Sequence, residues 1–298
     1  MSAATLVLTR VTNRHEAEQV CRLIDSLRSF GGPLAGCPVW VFAPSTLDKT
    51  ACILAATGAE IYSLPLTATP GALPFTSKVL ACAHAEELAP AGTRTLLWID
   101  PDCLIVQPPL LFQLEAPFAA ALRPVHLRNV GLPAGAPLDA FWGGIYAAVD
   151  CAGSDFSVAP FLGGERLRPY FNSHAFSLDP ALGLCRQWQE IFLRLSSDPT
   201  FLAVACADEP HRIFLFQAVL SALLAARLPA EHLRLLPPTY NYPYHLHERV
   251  PAEQRPEALN DLVTFVYEDV PLHPAALHNI GVHDPLRTWL AGHVPAID

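Results

Sequence analysis

The sequence lacks a run of apolar residues long enough to cross a lipid bilayer. The longest apolar stretch, residues 213–226, is interrupted by Gln217 and Ser221 and is shorter than the roughly 20 residues that a membrane helix needs. At the start, residues 3–8 are too few for the central region of a signal peptide, and Arg10 follows them closely. These absences predict a cytoplasmic protein without a transmembrane segment.

Positive charge is also scarce in the sequence. The 298 residues include 19 lysines and arginines against 28 aspartates and glutamates, which gives a net charge of −9. Nucleic-acid-binding proteins normally carry a basic face, and docking on anionic lipid by charge needs one as well, so neither partner is expected. A phosphorylated ligand would have to be held by a metal ion or by a few well-placed basic side chains.

Two kinds of ligand-binding motif are missing. The eight cysteines are scattered, without C-x-x-C pairs or the Cys/His spacing of a zinc site, so we expect buried thiols in a reducing compartment. No Walker motif and no G-x-G-x-x-G motif occurs, and the pairs Gly31-Gly32 and Gly143-Gly144 are too short for phosphate loops. A nucleotide, if one binds, must be held by metal and side chains.

What the sequence does contain is a regular alternation of strands and helices in its first hundred residues. Strands are predicted at about 4–9, 38–43 and 60–63, and helices at about 15–30, 47–57 and 75–88. This alternation predicts an α/β fold with a parallel, right-handedly wound sheet. With 51% hydrophobic residues and no evident linker, the chain is predicted to be a single domain over residues 1–298.

Residues 93–106 carry the functional prediction. The apolar run before Asp100 is rich in β-formers and too short for a helix, so it predicts a buried fourth strand that ends at Asp100-Pro101-Asp102. Aspartate is rarely buried unless it is paired or bound to metal, and ligands bind at the carboxyl ends of strands in open α/β sheets. In extended chain the two carboxylates point the same way, which suits a divalent cation that bridges to a diphosphate.

A simpler interpretation of Asp100-Pro101-Asp102 stays open. Aspartate and proline are ordinary turn residues, so the three could merely end the strand and begin a turn. The apolar residues on both sides, including Leu104-Ile105-Val106, leave the two interpretations about equally supported.

The second part of the chain is less regular. Helices are predicted at about 137–149, 180–195 and 211–228, and strands at about 170–178, 263–267 and 275–279. On the strand at 170–178, the polar residues Asn172 and His174 point to one side.

The order of several short motifs resembles that of glycosyltransferases with the GT-A fold, and within them the glycogenin-like and bacterial galactosyltransferase-like family 8. The motifs are Thr76-Ser77-Lys78, Asp100-Pro101-Asp102, Phe171-Asn172-Ser173-His174, Tyr240-Asn241 and His278-Asn279-Ile280-Gly281. The resemblance spans most of the chain. It implies a mostly parallel central sheet flanked by helices, with a nucleotide-binding half at 1–106 and an acceptor and sugar half at 107–298 that ends in a metal-ligand segment.

The resemblance also implies ligands and roles. The ligands are a nucleotide-diphospho-sugar, with a UDP-sugar as the first choice, and Mn²⁺ or Mg²⁺. The metal ligands would be Asp100, Asp102 and His278, and the donor would contact Thr9, Thr12, Asn13, Lys78, Asp100 and Arg287. Asn172, Gln217 and Asp208 would be catalytic.

Three positions depart from the family pattern. Phe216 precedes Gln217 where the family has aspartate, so Asp208 or Glu209 would have to substitute. Asp284 stands where the family has a lysine that grips phosphate, and Arg287 is the nearest replacement. His174 replaces a glycine that lets the sugar approach closely.

The predicted function is therefore a metal-dependent glycosyltransferase that moves a sugar from a nucleotide-diphosphate donor to an unidentified acceptor. A divalent ion would stabilise the diphosphate leaving group by several kcal/mol. The alternative is a non-catalytic descendant that binds a nucleotide sugar or a partner protein. Simpler interpretations stay open for single residues, with Lys78 reaching to the surface, His278 bonded to backbone and Asn172 satisfying a buried turn.

Overall fold

The structure is a computed structural model that describes residues 4–44, 54, 56–64, 73–153, 156–277 and 280–294. Its strands are β1 (Ala4–Arg10), β2 (Val39–Ala43), β3 (Glu60–Ser63), β4 (Thr93–Ile99), β5 (Cys103–Ile105), β6 (Ala120–Pro124), β7 (Phe171–Leu178), β8 (Leu233–Leu235), β9 (Tyr242–Pro243) and β10 (Thr264–Val266). Its α-helices are α1 (Arg14–Phe30), α2 (Thr76–Leu88), α3 (Ala140–Ala148), α4 (Leu184–Ser196), α5 (Pro199–Ala205), α6 (Glu209–Arg227) and α7 (Leu286–His293).

Seven of the described strands form one sheet in the order β3-β2-β1-β4-β7-β6-β8. β3, β2, β1 and β4 run parallel, β7 lies antiparallel between β4 and β6, and β8 is parallel to β6. The predicted α/β fold with a mostly parallel central sheet is confirmed. Because β7 is reversed, its second half pairs with the last residues of β4, with Ala175 opposite Ile99, and its first half continues past the end of β4 beside Asp100.

Apolar residues cover both faces of this sheet. On β1, Leu6 and Leu8 belong to one core cluster and Val7 to the other, as the alternation of side chains along a strand requires. On β4, every residue from Thr95 to Ile99 is buried, which confirms the prediction of a strand buried on both faces.

Helix α1 follows from its sequence. The side chain of Asn13 accepts a hydrogen bond from the amide of Glu16 at 3.0 Å, which satisfies one free N–H group of the first turn. The buried stripe of the helix includes Ala17, Val20, Leu23, Ile24 and Leu27. These residues join the second core cluster under the parallel strands.

A second, smaller sheet holds the end of β4. After a turn at Pro101 and Asp102, β5 pairs antiparallel with β10, and β10 pairs parallel with β9. The amide of Tyr267 then donates to the backbone oxygen of Asp102 at 2.9 Å. A late part of the chain is thereby fixed next to the two aspartates.

Two predictions about local structure are wrong. Residues 100–102 are not extended, because Pro101 and Asp102 form a turn in which the amide of Cys103 donates to the oxygen of Asp100 at 3.2 Å. At the predicted last strand, 275–279, Ala275 and Ala276 belong to a 3₁₀ turn at Pro274–Ala276, where proline supplies a fixed φ and no N–H group for a ladder, and residues 278–279 lie outside the described residues. Most of the predicted helix at 47–57 lies outside the described residues.

Candidate active site

Lys78 and Asp100 form a buried ion pair at the carboxyl end of β4. Lys78 Nζ lies 2.5 Å from Asp100 Oδ2 and also donates to the backbone oxygen of Ser173 at 3.1 Å. The indole N–H of Trp98 donates to the other oxygen, Asp100 Oδ1, at 2.8 Å. Lys78 is only 1% exposed, so it does not reach to the surface as the simpler interpretation had it. Both Asp100 oxygens are therefore compensated.

Aromatic rings surround the ammonium group of Lys78. The ring centres of Phe216, Phe75 and Trp98 lie 5.1, 5.2 and 5.7 Å from Nζ. Such contacts favour a desolvated cation, because the ring faces carry partial negative charge. Phe216, which stands where family 8 has an aspartate, thus forms part of the lysine's surroundings.

Asp102 is less well compensated than Asp100. Among the described side chains, Cys103 donates to its carboxylate, through a long hydrogen bond from Sγ at 4.0 Å. Burial, followed by the like charge of Asp100, raises the pKa of Asp102 to about 7. The carboxylate of Asp102 is therefore a group that a cation would stabilise in its ionised form.

Asn172 on β7 fixes the position of His174. Asn172 Oδ1 accepts from the backbone amide of His174 at 2.8 Å and from Asn241 Nδ2 at 2.5 Å, and it lies 3.1 Å from His174 Nδ1. On its other side, Asn172 Nδ2 faces His126 Nδ1 at 3.4 Å. Asn172 is thus not a simple turn residue but the centre of a network that orients two imidazoles.

Asn241 and Arg123 support this network from behind. Asn241 has a left-handed φ of 50°, and its backbone oxygen accepts from His126 Nε2 at 2.8 Å and from Arg123 at 2.9 Å. Burial lowers the pKa of Arg123 to about 9 and that of His126 well below its ordinary value. Because a carbonyl can only accept, His126 Nε2 carries the proton and Nδ1 is the acceptor.

Asp100, Asp102 and His174 bring ligand atoms together. One carboxylate oxygen from each aspartate and one ring nitrogen of His174 all lie within 4.8 Å of one another. The backbone bond from the amide of Asp100 to the oxygen of His174, at 2.7 Å, ties the two chain segments at this point. Within the described residues these three side chains form a mixed oxygen and nitrogen donor set.

A cavity of about 360 Å³ opens beside these residues. Its wall includes Phe75, Lys78, Asp100, His126, Asn172, Ser173, His174, Phe216, Gln217, His245 and Glu268. At one side His245 Nε2 lies 3.3 Å from Glu268 Oε1, and burial lowers the pKa of His245. Glu268 has a left-handed φ of 49°, an uncommon conformation for a residue with a side chain.

Residues 11–226 match the sequence model of the Rhodobacterales glycosyltransferase domain. The chain belongs to this family of glycosyltransferases. A search of curated proteins gave no significant sequence match.

Solved glycosyltransferase structures share the fold of this glycosyltransferase. The galactosyltransferase LgtC, in complex with donor and acceptor sugar analogues, superposes with a TM-score of 0.54 at 12% identity, over 98% of this chain and 97% of that one. The apo structure of the bifunctional glycosyltransferase WbbM gives 0.52 at 12% identity, over 90% of this chain and 46% of that one. The glycosyltransferase GlyE of Streptococcus pneumoniae TIGR4 gives 0.50 at 11% identity, over 97% and 60%. The predicted GT-A fold is confirmed.

The predicted donor contacts Thr9, Thr12 and Asn13, on β1 and in the connection to α1, are not part of the described cavity wall. Thr9 is fully buried, so its side chain cannot meet a nucleotide without rearrangement. The amide and hydroxyl of Thr12 both donate to Glu16 Oε2, at 2.6 and 2.8 Å, and Asn13 begins α1. Thr12 and Asn13 therefore have clear structural roles, and their contact with a donor stays a prediction.

Two other predicted residues lie apart from the cavity. Asp208 is exposed and begins α6, where its carboxylate accepts from the amide of His211 at 3.0 Å, and its catalytic role stays a prediction. Arg287 is exposed on α7, and Asp284 nearby accepts from the hydroxyl of Thr288 at 2.6 Å rather than pairing with Arg287. The predicted metal ligand His278 lies outside the described residues.

Gln217 does reach the cavity. Its Oε1 accepts from the hydroxyl of Ser173 at 3.0 Å, which links α6 to β7. Sequence reasoning did not predict that His126, His245 and Glu268 line the same cavity. Their positions depend on long-range contacts and on an unusual backbone angle, neither of which has a local sequence signal.

The described helices include none with the length and apolar character of a membrane span.

Proposed function

We propose that this glycosyltransferase moves a sugar from a nucleotide-diphosphate donor to an acceptor with the help of Mn²⁺ or Mg²⁺ bound at Asp100 and Asp102. The observation that carries the proposal is the position of these carboxylates, at the carboxyl end of a central strand, next to a cavity that also contains Lys78. Ligands of open α/β proteins bind at that edge of the sheet. A UDP-sugar is the first donor to test, because the motif order resembles family 8.

The residues present fit a divalent cation. Two carboxylates and an imidazole can fill part of the coordination shell of Mn²⁺ or Mg²⁺, and waters and phosphate oxygens would complete it. Asp102 has a raised pKa and lacks a strong partner among the described side chains, so a cation would offset the cost of ionising it. When bound, the cation supplies compensation for the negative charge of the departing diphosphate.

Residues of the chain itself perform the remaining tasks. Lys78 and Trp98 hold the Asp100 carboxylate in one orientation through their hydrogen bonds to its two oxygens. Gln217 and Ser173 hold each other on the cavity wall and present polar groups where a sugar would lie. Asn172 would orient His174 and His126 rather than contact the reacting atoms.

A second function is favoured by one observation. Phe216 occupies the family's aspartate position and packs against Lys78, so the wall that meets the sugar is apolar at this point. A protein that binds a nucleotide sugar without transferring it would tolerate this change. Turnover therefore needs a test separate from binding.

The first experiment is calorimetry of UDP, GDP and CDP with and without Mn²⁺. We expect one of these nucleotides, with UDP as the first candidate, to bind at least tenfold more tightly with Mn²⁺ than without it. The variant Asp102→Asn should lose this gain. Asp139→Asn is the matched control, because Asp139 begins α3 and asparagine begins helices equally well. A nucleotide affinity that is the same with and without Mn²⁺ would overturn the proposal.

The second experiment separates transfer from binding. Donors that bind in the presence of Mn²⁺ are incubated with the protein, and release of free nucleotide is followed with water and with a panel of sugar acceptors. Release that depends on Asp102 supports the transferase. Tight, metal-dependent binding without release across the panel supports the non-catalytic alternative.

A further inference from the structure

His174 is the one residue of the family's Phe-Asn-Ser-Gly pattern that this chain changes, and its ring lies among the groups that would hold a cation. A glycine at this position would leave open space beside the aspartates. The imidazole instead brings a nitrogen to within 4.8 Å of an oxygen of both Asp100 and Asp102.

The hydrogen bonds around His174 decide which ring nitrogen is free. Asn172 must direct its oxygen toward His174, because this atom accepts from the backbone amide of His174 and from Asn241 Nδ2. An amide oxygen can only accept, so His174 Nδ1 carries the proton that it shares with Asn172 at 3.1 Å. In the neutral ring the lone pair is then on Nε2. This is the arrangement of a metal-bound histidine, whose other N–H group is fixed by a neighbouring acceptor.

The distances suit a single ion. Metal–ligand bonds are about 2.0–2.6 Å long, so ligand atoms of one ion are at most about 5 Å apart. The 4.8 Å spread of the three ligand atoms falls within this limit without a change in the backbone.

The backbone holds the group in place from three sides. The amide of Asp100 donates to the oxygen of His174 at 2.7 Å, Lys78 Nζ donates to the oxygen of Ser173 at 3.1 Å, and the amide of Tyr267 donates to the oxygen of Asp102 at 2.9 Å. The segment that carries His174 is therefore fixed relative to both aspartates. A ligand set held in this way loses little freedom when the ion arrives.

We infer that His174 is a protein ligand of the cation held by Asp100 and Asp102, with Asn172 as the positioning residue that keeps Nε2 free. The inference rests on the cation site of the proposed function but not on sugar transfer. An imidazole in the shell favours a softer divalent ion, so Mn²⁺ is preferred over Mg²⁺.

The test is a titration of the full chain with Mn²⁺, in which electron paramagnetic resonance measures the concentration of the free ion. We expect His174→Ala to weaken Mn²⁺ binding at least tenfold while Mg²⁺ binding falls less, and Asn172→Ala to weaken Mn²⁺ binding by a smaller factor. The control is His84→Gln, which changes a partly exposed histidine of α2 that is not on the described cavity wall and should stay within threefold of the wild type. Equal losses for His174→Ala and His84→Gln would overturn the inference.

A second measurement covers the case in which His174→Ala does not fold. Pulsed electron paramagnetic resonance detects nitrogen bound directly to Mn²⁺, and His278→Ala provides a background without the other candidate imidazole. The inference is supported if His278→Ala keeps a nitrogen coupling and the double variant His278→Ala/His174→Gln loses it. No coupling in His278→Ala overturns it. If Mn²⁺ does not bind the wild-type protein at all, the proposed function is overturned, and the inference with it.

Discussion

The molecule has cavities at opposite ends of its parallel strands, and they differ in size and in chemistry. The amino-end cavity, beside the starts of β1 and β4, measures about 740 Å³, and most of the described residues on its wall are apolar. The carboxyl-end cavity, beside the end of β4, measures about 360 Å³ and contains Lys78, Asp100, three histidines and Glu268. The smaller cavity is the candidate site, because the direction of the strands, rather than volume, determines where ligand-binding loops gather.

The two cavities also differ in the backbone conformation of the residues around them. Among the described non-glycine residues with a left-handed φ, Phe75, Asn129 and Glu268 lie on the carboxyl-end wall, and Asn241 bonds to Asn172 on that wall. None of them lies on the described wall of the amino-end cavity. Strained backbone of this kind persists where the surroundings fix it, and it concentrates at functional sites.

The largest effect is expected for Asp100→Asn, in the carboxyl-end cavity. The change leaves Lys78 buried without its counter-charge, so we expect the free energy of unfolding to fall by about 3–5 kcal/mol. Urea denaturation of the metal-free protein measures the loss. The double variant Lys78→Met/Asp100→Asn should regain most of the stability but not the Mn²⁺-dependent donor binding. A loss below about 1 kcal/mol in the single variant would show that the ion pair is not buried as described.

A smaller effect is expected at Asn241. Asn241→Ala removes the bond to Asn172 and places a Cβ-bearing residue without a stabilising side chain at φ 50°, so we expect a loss of about 2 kcal/mol. Asn241→Gly loses the same bond but tolerates the backbone angle, so it should cost about 1 kcal/mol less. Thermal unfolding of the pair compares them. Equal losses would mean that the left-handed φ adds no strain.

Asp102→Asn should act in the opposite direction in the metal-free protein. The raised pKa means that folding favours the neutral carboxyl, so this stabilising contribution is present below about pH 4 and is lost as pH rises through about 7. Because the side chain of Asp102 is half-buried, we expect the variant to be about 1 kcal/mol more stable than wild type at pH 8 and similar at pH 4. Unfolding in the presence of a chelator measures the difference. A destabilised variant at pH 8 would favour the simple strand-cap role for Asp102.

The smallest effect is expected in the amino-end cavity. The hydroxyl of Thr5 is buried and has no hydrogen-bond partner among the described residues. Thr5→Val should therefore raise stability by about 0.5 kcal/mol or leave it unchanged. Metal-dependent donor affinity should stay within twofold of wild type, because Thr5 lies at the other end of the strand. A tenfold loss of donor affinity would contradict the assignment of chemistry to the smaller cavity.

The local part of the fold could be predicted from the sequence. β1, β4, α1 and α2 have local composition and residue patterns that indicate their type, and their observed bounds differ from the prediction by at most a few residues. The antiparallel insertion of β7 could not be predicted, since nothing local in residues 171–178 specifies which strands they join. That insertion is what brings His174 beside Asp100.

The candidate site was predictable in part for the same reason. Asp100, Asp102 and Lys78 come from motifs that stand close together in the chain, and the structure brings them together. For Asp208 the local signal is structural, because Asp208-Glu209-Pro210 is the pattern of a helix start and Asp208 caps α6. His245 and Glu268 come from connections near β9 and β10, whose position depends on the whole fold.

The reversed strand at the centre of the sheet also has a consequence for protein synthesis. β7 begins about 70 residues after β4 ends, so a growing chain presents the edge of β4 before its partner exists. At roughly 5–20 residues per second, that interval lasts roughly 4–14 s. During this time β4 is an unpaired edge strand next to apolar segments, which is a template for wrong pairing. A fragment that ends before residue 171 would keep that edge open permanently, and with it the half of the site that faces β7.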